Sequence, residues 1–124
     1  MSIIVERFNK IKSNINNNSI NIIAVSKTYT LDYIKPLIDH GHIHFGENKV
    51  QEADSKWSDF KKINEKIKLH MIGKLQSNKA KKAVQLFDYI HSVDNEKLAT
   101  ALSKSEKSIN KKLKYFIQVN VGRE

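Results

Sequence analysis

A chain of 124 residues holds one ordinary domain with one core and is short for a large enzyme architecture. Its 40% apolar and 28% charged content describes a soluble globular chain, and without cysteine neither a disulfide framework nor a thiolate metal site can form. The net charge of +9 invites a nucleic-acid partner, but arginine occurs only at Arg7 and Arg123, and the densest basic stretch, KLQSNKAKKAV, has no aromatics for bases to stack on, so specific nucleic-acid binding is not expected.

The hydrophobic pattern divides the chain into regular segments. Ile3, Ile4, Phe8, Ile11 and Ile15 recur at helical spacing, and NNNSIN ends that pattern. A strand is predicted over Ile22 to Ser26. LDYIKPLIDHG reads as a helix with Leu31, Ile34, Leu37 and Ile38 on one side and Gly41 as its stop, while Pro36 signals a kink or a first-turn position. HIHFGEN reads as a second strand ending at Gly46, and Val50, Ala53, Trp57 and Phe60 stripe the next helix. KIKLHMIG is a third strand, QSNKAKKAVQLF a short helix and DYIHSVD a fourth strand. Asn95 can cap the helix EKLATALSKSEKSI, and LKYFIQVNVG closes as a fifth strand. No apolar run is long enough to cross a bilayer and the N-terminus lacks a secretory pattern, so a cytoplasmic location with no membrane partner is expected.

Alternating helices and strands of this kind build a parallel sheet, whose ligands collect at the carboxyl ends of the strands. Each predicted strand ends in small or polar residues: Ser26 and Lys27, Gly46 to Asn48, Gly73, Ser92 to Asp94, and Asn120 with Gly122. Ordinary turns need the same residue types. SKTYT contains no glycine, which excludes a dinucleotide or P-loop site after the first strand. His40, His42 and His44 alternate, and His42 and His44 could share a strand face, but no third ligand is fixed, so they read as surface or turn histidines rather than a metal site. Glu47 and Glu52 could be paired carboxylates but read more simply as acids favoured at a helix N-terminus. Lys27 remains. It either snorkels to water past the strand end or sits buried at the mouth of the sheet, where desolvation would favour the neutral amine that attacks an aldehyde, such as that of pyridoxal 5′-phosphate.

The stretches AVSKTYT, FGENKVQEADSKW, LHMIGKLQSNKAKKAV, IHSVDNEKLATAL and QVNVGRE, in this order and spacing, resemble the N-terminal half of the pyridoxal-phosphate homeostasis protein family, often called the YggS/PROSC family. The resemblance covers roughly residues 20 to 124. It implies an α/β fold, a partial (β/α) TIM barrel of the alanine-racemase N-terminal-domain type (fold type III), within a single domain over 1–124 that has an N-terminal helix near 1–15 and β/α units over about 21–124. It implies pyridoxal 5′-phosphate as cofactor, held as a Schiff base on Lys27, in a protein that buffers and hands over the cofactor without established turnover. Asn48, His70, Gly73 and Ser92 match motif positions at strand ends and are candidate cofactor-binding residues. Each also has a structural role open to it: Asn48 as a helix cap, Gly73 in a turn, His70 as a satisfied core group and Ser92 as a strand terminus. Gln76, Asn78 and Lys79 are expected to shape a loop and helix start.

A complete barrel of this type takes about 250 residues. The chain is therefore expected to stop after about five strands, leaving the family's glycine- and serine-rich phosphate cradle and an arginine-bearing strand unrepresented. Unpaired edges near Ile22 to Val25 and Tyr115 to Val119 follow. They would be closed by a separately encoded C-terminal half or by a second copy; the alternative is a degenerate fragment that keeps the motifs but binds the cofactor weakly or not at all.

Overall fold

The computed structural model describes residues 3–16, 19–119 and 121–122. Five short apolar segments become strands: β1 (Ala24–Val25), β2 (His44–Glu47), β3 (Lys68–Met71), β4 (Tyr89–Val93) and β5 (Lys114–Ile117). Between and before them lie α1 (Ile3–Ile15), α2 (Leu31–Asp39), α3 (Val50–Ile63), a 3₁₀ turn over Ser77–Lys79 running into α4 (Ala80–Leu86), and α5 (Glu96–Ile109). Neighbouring strands are all parallel and lie in sequence order, β1-β2-β3-β4-β5. Each helical crossover therefore steps one strand in the same direction, and right-handed connections put the helices on one face, as a barrel wall requires.

Strand pleating sorts the side chains. Phe45, Leu69 and Ile90 turn toward the helices and are fully buried with Ala53 and Trp57 of α3, Ala83 and Val84 of α4 and Leu98 of α5. Phe45 and Trp57 meet at a centroid distance of 5.1 Å. The helix ends follow their local chemistry. Gly41 adopts φ 102°, a left-handed conformation that stops the chain just past α2. Asn95 caps α5, its side-chain oxygen accepting the Leu98 N–H at 2.8 Å.

Several expectations are corrected. In α1 Val5 is buried while Ile3 and Ile11 are exposed, because the helix turns its Ile4, Val5 and Phe8 side to the core and leaves the row through Ile3 and Ile11 at its margin. The first strand keeps only Ala24 and Val25 in the ladder, although Ser26 still donates its N–H to Gly46 O at 2.9 Å. The second strand runs one residue past Gly46. Pro36 is the sixth residue of α2 rather than a first-turn residue. Asn120, expected at the end of the last strand, lies outside the described residues. Among the described residues, β1 and β5 are the sheet edges, with Val25, Phe116, Ile117 and Val119 exposed as anticipated, and no helix is long and apolar enough to cross a membrane.

Candidate functional site

The strand ends converge on one rim of the sheet. Lys27 lies in the turn after β1 and its neighbours are tightly held. Buried Ser26 donates its hydroxyl to Glu47 Oε2 at 2.5 Å, and its carbonyl accepts from Lys56 Nζ at 2.6 Å. Thr28 has φ 67°, and its N–H donates to Glu52 Oε2. Lys27 itself is exposed, and among the described residues its side chain makes no hydrogen bond or ion pair. Of the two positions open to Lys27, past the strand end in water or buried at the mouth of the sheet, the exposed one is found, because the turn lifts residue 27 off the sheet while Ser26 packs inward. Lys56 is the converse case. Its ammonium, with the side chain 8% exposed, is committed to Glu47 Oε2 at 2.9 Å and Glu52 Oε2 at 3.4 Å as well as to Ser26 O.

Asn48, Gly73 and Ser92 are brought together. A Cβ on Gly73 would stand 2.4 Å from Asn48 O, so only glycine permits the loops after β2 and β3 to touch. Ser92 Oγ donates to Gly73 O at 2.7 Å and ties the end of β4 to the same ridge. The helix-cap role for Asn48 is not realised: α3 starts from Lys49 without a side-chain cap, and the Asn48 amide makes no side-chain hydrogen bond among the described residues. Gln76 precedes the 3₁₀ turn and accepts the Lys79 N–H at 2.9 Å, the loop-shaping role expected of that stretch.

His70 takes part in a different set of contacts. It is 4% exposed and bonds two other histidines, Nε2 to His44 Nδ1 at 3.0 Å and Nδ1 to His91 Nε2 at 2.9 Å. Tyr89 stacks on its ring at 4.2 Å, and Phe116 stacks on His91 at 4.5 Å. A neutral imidazole has one donor and one acceptor nitrogen, so the two bonds must run in the same sense along the row. Burial, with repulsion from His44 and His91, pushes the His70 pKa down to about 4; burial lowers His44 and His91 too. The row is therefore uncharged at neutral pH. His70 spends both nitrogens on its neighbours, and among the described residues no group of three ligands could hold a metal ion.

The sequence profile described as alanine racemase, N-terminal domain, matches residues 2–124. The chain belongs to that family. Among its curated relatives, the pyridoxal phosphate homeostasis protein of Buchnera aphidicola subsp. Schizaphis graminum is 40% identical over 113 residues, covering 91% of this chain and 49% of the relative. That of Escherichia coli K12 is 37% identical over 106 residues, covering 85% of this chain and 45% of the relative. PipY of Synechococcus elongatus, solved with PLP bound, matches at TM-score 0.88 and 39% identity, covering 96% of this chain and 55% of PipY. The chain spans about half the length of the curated relatives it matches. The barrel expectation stands: five parallel strands form the N-terminal part of an alanine-racemase-like fold. A separately encoded half or a second copy finds no support in these comparisons.

Two features escaped the sequence reading. The reading of His44 as a surface or turn histidine is corrected, because it opens the row with His70 and His91; the available signal was the shared strand parity of HF, LHM and IHS. Glu47 is likewise not a helix-terminal acid. It ends β2, is fully buried, and accepts from Ser26, Lys56 and the Trp57 indole N–H at 3.0 Å. Glu52 does lie in the first turn of α3 as expected, yet it shares Lys56 with Glu47.

Proposed function

We propose that this chain is the lysine-bearing part of a pyridoxal 5′-phosphate-binding barrel that buffers the cofactor rather than turning over a substrate. The observation that carries the reading is Lys27, an amine without a partner among the described residues, at the carboxyl end of β1. Its neighbour Lys56 is too deeply ion-paired to compete. When bound, the cofactor supplies an aldehyde that an amine captures reversibly and a ring that can withdraw electrons. The residues present fit such a group in part. Lys27 would hold the aldehyde end, and Asn48 offers an uncommitted amide on the ridge it shares with Gly73 and Ser92. Ser92 is already occupied with Gly73 O, so it shapes the ridge. His70 has its nitrogens spent on His44 and His91. No phosphate cradle is assigned to the described residues.

The names of the relatives, none of which states a catalysed reaction, support a carrier over an enzyme. The reading as a degenerate remnant is not favoured, since the curated relatives are named pyridoxal phosphate homeostasis proteins and PipY was solved with PLP bound. The exposed β1 and β5 edges suit closure by further strands of the same barrel.

The test is to mix the purified chain with pyridoxal 5′-phosphate, reduce with borohydride and map the adducts by mass spectrometry. Modification should concentrate on Lys27, and Lys27→Ala should lose it with an unchanged circular dichroism spectrum. Labelling spread evenly over the lysines would defeat the proposal.

A further inference from the structure

We propose that Glu47, Glu52 and Lys56 form a partly buried brace that fixes the turn carrying Lys27, which makes them positioning residues for the amine that takes the aldehyde. This rests on the functional reading above and adds to it how residue 27 is aimed.

β1 contributes only two ladder residues, so the strand alone holds the turn weakly. Besides the backbone bonds from Ser26 N–H to Gly46 O and from Tyr29 N–H to Ser26 O, the chain on both sides of Lys27 is held by side chains from other elements. Before it, Ser26 O accepts from Lys56 Nζ of α3, and Ser26 Oγ donates to Glu47 of β2. After it, the Thr28 N–H donates to Glu52 of α3. Lys56 joins the two carboxylates, so both anchors belong to one network. Thr28 at φ 67° is in the left-handed region, which a β-branched residue adopts only when its surroundings impose it. Glu52 holds the amide of that same residue.

Stability alone does not account for this arrangement. Burying Glu47 and Lys56 costs desolvation that a well-packed apolar pair would avoid, and in some proteins buried ionic groups are retained for the conformation they specify rather than for net stability. The geometry specified here is the path of the chain through residues 26 to 28, with Lys27 at its centre.

Glu47 and Lys56 lie too deep to vary without risking the core, so Glu52, with its side chain 30% exposed, is the residue to change. In the full chain, Glu52→Ala should slow borohydride-trapped pyridoxal 5′-phosphate incorporation at Lys27 by about tenfold, the scale of a small misplacement of a reacting group. Incorporation at the other lysines and the circular dichroism spectrum should not change. Glu52→Gln keeps an acceptor oxygen for Thr28 and should restore most of the rate. Thr28 amide exchange, followed by NMR without ligand, should accelerate in Glu52→Ala and not in Glu52→Gln. Undiminished Lys27 selectivity in Glu52→Ala overturns the brace while leaving the functional reading intact. Absence of Lys27 selectivity in the unaltered chain overturns both.

Discussion

His70 is buried between two other histidines, and that burial sets a pH dependence. In the unfolded chain its imidazole takes a proton near the ordinary value of 6.5; in the folded chain it does so only near 4, chiefly because burial disfavours the imidazolium. Between those values the unfolded state binds more protons, so acid favours unfolding. The stability that His70 contributes is complete above about pH 6.5 and is lost as the pH falls toward 4. Urea midpoints measured across this range should rise with pH, and His70→Gln should flatten the rise. At Phe116, reading the residue as core would put the cost of truncation to alanine at roughly 2 to 5 kcal/mol. The structure lowers that expectation: the residue is 54% exposed, with its ring stacked on His91.

At the scale of single elements, α5 shows how a local signal survives into the fold. Asn95 holds extended backbone and accepts the Leu98 N–H, one of the helix's first free donors. Asn95→Ala should cost about 1 kcal/mol, read as a lower urea midpoint with unchanged slope, and Asn95→Asp should recover most of it. Helix α3 lacks such a cap, which leaves Asn48 free for the ridge it forms with Gly73. The existence and order of the elements were legible because apolar residues recur at the helix or strand period within each segment. Their limits were less so. Apolar residues at 22 and 23 suit a strand, yet β1 pairs only through Ala24 and Val25, opposite Phe45 and Gly46.

For the whole molecule the open sheet governs behaviour. Ile117 is 78% exposed on an edge strand, next to the half-exposed Phe116. Unpaired strand groups beside apolar side chains are a template for self-association. The purified chain should therefore show concentration-dependent association in sedimentation velocity, and Ile117→Lys should reduce it without changing the circular dichroism spectrum. A protein that stays monomeric at high concentration would show that its edges are already protected.

From its residues alone this chain declares an N-terminal helix and five strands with four intervening helices, the Gly41 stop, the Asn95 cap and the strand-end motifs that mark its family, because each is written within a few consecutive positions. The order of the strands, the histidine row, the shared carboxylates on Lys56 and the exposure of Lys27 were decided only in three dimensions. His44 and His70 stand 26 positions apart, and His70 and His91 21. Such groups meet only through inter-strand register and the path of each crossover, and no local period encodes either.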